Sequence, residues 1–109
     1  MERLFVYGTL RYGKFQKECW GRVIPGSRAT LPDHERNRIL IGGRKYYVMY
    51  QKQGAEVRGL VLPVTREDLR VGDIYEEKYN RRKVRLSDGS MAWTYLTKAI
   101  YLGTQKRTP

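Results

Sequence analysis

The chain has 109 residues, 40% of them hydrophobic and 12% aromatic, which suits one domain with a modest core. Twenty-two Lys and Arg against eleven Asp and Glu give a formal net charge of +11, a balance that suits anionic small molecules, nucleic acid or simply a basic solvated surface. A single cysteine excludes an internal disulfide and a cysteine zinc cage, the apolar runs fall far short of a membrane span, and no signal-peptide pattern opens the chain, so the expectation is a cytoplasmic protein.

Leu4-Phe5-Val6 reads as a short buried strand that stops at Tyr7-Gly8. Gly8, Thr9 and Leu10 then form a turn whose successive backbone N–H groups lack strand partners and need an acceptor. A bound carboxylate or a developing oxyanion is one such acceptor. Taken alone, a strand ending in a turn accounts for the same residues. Lys14 to Trp20 predicts one or two helical turns with Phe15, Cys19 and Trp20 inward. Cys19 reads as a small buried hydrophobe. Arg22-Val23-Ile24 ends at Pro25-Gly26, a turn signal.

Ala29 to Arg38 reads as polar and irregular, with a turn at Pro32-Asp33. His34, the sole histidine, lies in it and is expected on the surface, with no second histidine to share a metal. Arg38-Ile39-Leu40-Ile41, Gly42-Gly43 and Tyr46-Tyr47-Val48-Met49-Tyr50 predict a hairpin. Gln51 to Glu56, containing Gly54, reads as a polar turn. Val57 to Val64 is the longest apolar strand candidate, with Pro63 tolerated at its end.

Thr65-Arg66-Glu67-Asp68 has the form of a capping box and opens a helix expected from about Arg66 to about Glu77. Leu69, Val71 or Gly72, Ile74 and Tyr75 are its candidate inner stripe, with Gly72 weakening its middle by about 1 kcal/mol. Lys83 to Leu86 alternates as a strand, Asp88-Gly89 signals a hairpin, and Met91 to Leu96 returns. Trp93 is expected in the core and Tyr95 at its rim. Ile100-Tyr101-Leu102 reads as a short extended segment. Residues 1–103 are expected to form one domain and 104–109 a basic tail. The pattern is an α+β chain dominated by antiparallel hairpins.

One acidic cluster stands out. Asp73, Glu76 and Glu77 lie at i, i+3 and i+4, so a helix brings both glutamates beside Asp73. A carboxyl held against apolar surface near another acid binds its proton more tightly, and such a group can take and return a proton near neutral pH. Arg81 and Arg82 would pull the other way if they reached it. A solvated acidic helix face explains the same three residues.

Phe5-Val6-Tyr7-Gly8-Thr9-Leu10-Arg11 resembles the opening signature of the γ-glutamylcyclotransferase-like family. Asp73-x-Tyr75-Glu76, followed by Tyr79-x-Arg81 and Val84, resembles its second motif, and Ala92-Trp93-Thr94-Tyr95 its late strand. The resemblance spans nearly the whole chain in the right order. It departs at Gly72, where the family usually has leucine, and at Glu77, where glycine is common. It implies a small mixed β-barrel flanked by one or two helices, with a cavity floored by Tyr7, Gly8, Thr9 and Leu10. It implies Glu76 as the catalytic acid/base of a reaction in which the α-amine of a γ-glutamyl group attacks its own γ-carbonyl. That reaction gives 5-oxoproline and a freed amine, and no cofactor or metal is implied. Tyr7, Gly8, Thr9, Leu10, Tyr79 and Arg81 are the expected substrate-binding residues.

The expected partner is a small γ-glutamyl substrate. A non-catalytic module of the same fold that binds a small anion is the alternative. Nucleic-acid binding is the minority reading, because the basic residues are scattered and the densest cluster, Arg81-Arg82-Lys83 with Arg85, sits in a strand-like stretch.

Overall fold

The structure, a computed structural model, describes residues 1–98. Ile100-Tyr101-Leu102 and the 104–109 tail therefore lie outside the described residues. Strand β1 (Glu2–Val6), helix α1 (Gly13–Trp20), strands β2 (Ser27–Ile41) and β3 (Arg44–Val64), helix α2 (Arg66–Tyr75) and strands β4 (Tyr79–Arg85) and β5 (Met91–Thr97) follow in chain order.

They build one five-stranded sheet in the order β2-β3-β1-β5-β4. β1 runs antiparallel to β3, with Leu4 opposite Leu62, and parallel to β5, with Leu4 opposite Trp93. A strand covered on both faces should be apolar throughout, and the Leu4-Phe5-Val6 run meets that demand. Leu4 and Val6 enter the core beneath the helices, while Phe5 and Tyr7 enter the core inside the curl of the sheet. Curling brings the far ends together: the Met49 N–H donates to Thr97 Oγ1 at 3.1 Å, and the Ser87 N–H donates to the Thr30 carbonyl at 2.9 Å. The result is an α+β half-barrel with two helices, the architecture expected from the resemblance.

Several local expectations are corrected. Ala29 to Arg38 is not irregular; it is the body of β2, paired along β3. Pro32 is tolerated because β2 is an edge strand. In place of a turn, the register slips between Pro32 and His34, with Asp33 at φ 58°. The predicted turn at Gln51 to Glu56 is the other side of that bulge, bound to it by the Gly54 N–H on Asp33 Oδ1 at 3.0 Å. The slip resets the side-chain alternation, so Leu31 and His34 both point inward. His34 is consequently buried, contrary to its expected surface position. Its Nδ1 donates to the Pro32 carbonyl at 2.9 Å, and no described group meets Nε2.

Helix α2 starts as predicted: Asp68 N–H donates to Thr65 Oγ1 at 3.0 Å, and the Thr65 N–H donates to Asp68 Oδ2 at 2.8 Å. It ends at Tyr75, two residues early, and turns Asp68, Leu69 and Gly72 inward. Ile74 points outward instead, 70% exposed. Arg22 forks onto Asp68 at 2.7 and 2.9 Å, fastening the segment after α1 to the start of α2. Gln16, unnoticed in the sequence, is buried and ties α1 to its surroundings: Nε2 donates to the Leu10 carbonyl and Oε1 accepts from Ile24 N–H. Cys19 is buried as expected, and burial pushes its thiol up to about 12.

The late aromatics exchange their expected places. Tyr95 is core, 5% exposed. Trp93 is only half-buried, flanked by the Arg81 guanidinium at 4.4 Å and the Lys83 ammonium at 4.9 Å, and its Nε1–H donates to Glu2. The two share one face of β5, and position along the strand separates them: Tyr95 lies under α2 with its hydroxyl on Asp73, whereas Trp93 lies next to Arg81 and Lys83 of β4. No helix among the described residues is long and apolar enough to cross a membrane.

Candidate active site

Where β1 leaves the sheet, Thr9–Arg11 winds into a single 3₁₀ turn closed by Arg11 N–H on the Gly8 carbonyl at 3.1 Å. The first N–H groups of such a turn have no partner within it. Among the described residues, those of Gly8, Thr9 and Leu10 have no acceptor. The turn is held from the other side by Tyr47 of β3. A Cβ on Gly8 would lie 3.2 Å from the Tyr47 ring, so glycine lets the ring pack directly on the main chain. Arg36 donates to the Tyr7 carbonyl at 2.9 Å.

These elements surround a cavity of about 610 Å³. The 7–10 turn forms one wall, the β2–β3 hairpin with Tyr46 and Tyr47 a second, and the C-terminal end of α2 with Tyr75, Glu76 and Tyr79 a third. Glu76 is the residue that ends α2, fixed by its N–H on the Gly72 carbonyl at 2.8 Å and its own carbonyl under Tyr79 N–H at 3.1 Å. Its carboxyl lines the cavity and makes no hydrogen bond or ion pair among the described residues. Burial pushes that carboxyl up to about 7. The carbonyl-rich end of a helix acts in the same direction, since it disfavours negative charge.

The neighbouring acids do not contribute, contrary to the sequence reading. Asp73 is turned away, accepting two bonds from Arg81 at 2.8 and 3.1 Å and one from the Tyr95 hydroxyl at 3.0 Å. Glu77 points outward, 80% exposed on its side chain, near Lys78. The competing cations stay away as well. Arg81 lies outside the cavity, spent on Asp73 and Trp93, so the structure does not bring it to Glu76. Burial, and no charged side chain, raises the proton affinity of Glu76.

Tyr7, Gly8, Thr9, Leu10 and Tyr79 do line the cavity with Glu76. The Tyr7 hydroxyl donates to the Tyr95 carbonyl and that of Tyr79 to the Tyr47 carbonyl at 2.5 Å. Burial raises both phenols, so both remain neutral donors. The hairpin wall was missed from sequence. Its one signal was Tyr46-Tyr47 following Arg44-Lys45 at a glycine turn, which reads equally as an ordinary strand. Among the described residues, no three His, Cys, Asp or Glu side chains converge as a metal-holding group.

Residues 4–108 match the family model described as "Gamma-glutamyl cyclotransferase, AIG2-like". The chain belongs to that family. AIG2-like protein D of Arabidopsis thaliana is 34% identical over 94 residues, covering 83% of this chain and 60% of its relative. The chain thus spans less than two thirds of that plant protein. A solution structure of an Arabidopsis thaliana protein is 29% identical with TM-score 0.74, over 88% of this chain and 68% of the other. The structure of a gamma-glutamyl cyclotransferase shares the fold at TM-score 0.66 and 18% identity, over 89% of this chain and 66% of that one.

Proposed function

We propose that this member of the family is an enzyme that cyclises a small γ-glutamyl compound to 5-oxoproline, with Glu76 moving the proton. The observation that carries the reading is a carboxyl pushed up to about 7, facing unpartnered main-chain N–H groups across one cavity. The substrate's α-ammonium must lose a proton before it attacks. An ionised Glu76 accepts it, and the freed amine forms a bond to the γ-carbonyl carbon. Negative charge gathers on the carbonyl oxygen, where the N–H groups of Gly8, Thr9 and Leu10 are suited to receive it. Losing one such donor costs about 3–4 kcal/mol in comparable sites. The protonated Glu76 then returns its proton to the departing nitrogen as the original γ-amide bond breaks. The carboxylate so regenerated takes the second proton from the ring nitrogen and passes it to the released amine, leaving 5-oxoproline and an ammonium product.

A group with proton affinity near ambient pH suits both halves, and such transfer contributes roughly a hundred- to ten-thousand-fold. The attack is within one molecule, so the cavity's task is to fold the substrate until nitrogen meets carbonyl. The test is a screen of γ-glutamyl amines, γ-glutamyl amino acids and glutathione for 5-oxoproline release. Release that falls at least a hundredfold in Glu76→Gln is expected. No release from any of these substrates, or equal release by the variant, overturns the reading.

A further inference from the structure

Charge is divided unevenly around the cavity. Its inner end holds Tyr7, Leu10 and the carboxyl of Glu76, whereas its outer end on the hairpin holds Arg38, Arg44 and Lys45, all exposed. Among the described residues, none of these three cations has a carboxylate within 4.0 Å. The opposite lip carries Lys78 beside Glu77, a pair that cancels, and Glu18, which accepts from the Tyr75 hydroxyl at 3.4 Å. Three cations therefore face one unpaired acid across the mouth. The Arg38 guanidinium also lies 5.7 Å from the centre of the Tyr47 ring, the same ring that packs on Gly8. The hairpin cations and the 7–10 turn thus share the Tyr47 side chain.

A γ-glutamyl group reacting at Glu76 fills the inner end, so whatever is attached to its γ-carbonyl extends toward the hairpin. We infer that Arg38, Arg44 and Lys45 select substrates whose departing portion is anionic, carrying one or more carboxylates, over those whose departing portion is a neutral or cationic amine. This inference rests on the cyclotransferase reading and adds to it a charge preference set by this chain's own hairpin. Exposed cations lining a cleft raise the local concentration of an anion and do so less as salt rises.

The test uses the full chain and four substrates that differ only in the departing portion: γ-glutamylglutamate, γ-glutamylalanine, γ-glutamylmethylamide and the γ-glutamyl amide of 1,4-diaminobutane. kcat/KM is expected to fall in that order, by at least tenfold from first to last, with the difference mainly in KM and shrinking between 0.02 and 0.5 M salt. In the Arg38→Ala/Lys45→Ala double variant, the ratio of kcat/KM for γ-glutamylglutamate over γ-glutamylmethylamide is expected to drop about tenfold. Both positions are exposed, so loss of folding is not expected, and thermal melting checks this. Turnover with no charge order, or with a ratio unmoved in the double variant, overturns this inference and leaves the cyclotransferase reading standing. No 5-oxoproline from any of the four overturns both.

Discussion

Gly72, in the middle of α2, rests on the hydroxyl of Tyr95: a Cβ at 72 would lie 2.5 Å from that oxygen. The departure from the family's usual leucine is therefore matched by a large side chain reaching up from β5. Tyr95 fills the space and donates to Asp73, one turn before the catalytic candidate. Gly72→Ala is expected to destabilise by about 1–3 kcal/mol, overpacking outweighing the gain in helix propensity. In a Tyr95→Phe background the nearest ring atom is 3.5 Å away, an ordinary contact. There the same substitution should be neutral or stabilising by up to about 1 kcal/mol. Urea unfolding of the four proteins in the cycle measures the coupling.

The pH–rate profile follows from Glu76. In the proposed reaction it must be ionised to accept the first proton, so kcat/KM is expected to rise about tenfold per pH unit below the pKa and to level above it. With burial setting that pKa at about 7, the bend falls near neutrality. Residual activity in Glu76→Gln should lack this limb. A bend near the ordinary carboxylate value of 4.5 would contradict the burial argument.

The same shift acts on stability, with the opposite sign from a salt-bridged acid. Between pH 4.5 and about 7 the folded state holds a proton at Glu76 that the unfolded chain has released. Folding stability therefore falls as pH rises through that window. By pH 8 the cost of keeping an ionised Glu76 is about 3 kcal/mol. Glu76→Gln is accordingly expected to be the more stable protein at pH 8, by about 2–3 kcal/mol, with the gap closing below pH 4.5. Denaturant midpoints at pH 4 and pH 8 check it.

Asp68 behaves in the conventional way. Hydrogen bonds from Arg22, aided by those from Thr65, hold its carboxyl down to about 2 against an ordinary 3.8. Its stabilisation is complete above pH 3.8 and fades as pH falls toward 2. Asp68→Ala removes the capping box and strands the Arg22 fork, so a loss of about 2–3 kcal/mol at pH 7 is expected. Circular dichroism melts of wild type and variant at pH 7 and pH 2.5 should show the gap narrowing in acid.

Elements whose cause is local were legible in the sequence. The capping box at Thr65 and Asp68, the Gly42-Gly43 and Asp88-Gly89 turns, and the apolar run of β1 each follow from a few consecutive residues. Elements decided by partners far away were not. Pro32, Asp33 and Gly54 carry turn chemistry, yet pairing across β2 and β3 turned that chemistry into a bulge and buried His34. Alternation puts Trp93 and Tyr95 on one face of β5, but which of the two is covered depended on where α2 landed.

Short stretches of sequence marked the candidates for the proposed chemistry: one glutamate at a helix end and a glycine turn after the first strand. The state of that glutamate came from packing across the fold. Asp73, three residues away, was a neighbour along the helix but is occupied by Arg81 and Tyr95. Tyr47 and Tyr79, far from the 7–10 turn in the chain, wall the cavity that holds the Glu76 carboxyl out of bulk water. Proton affinity is a property of surroundings, and these surroundings come from five separate stretches of chain that meet only when the sheet curls.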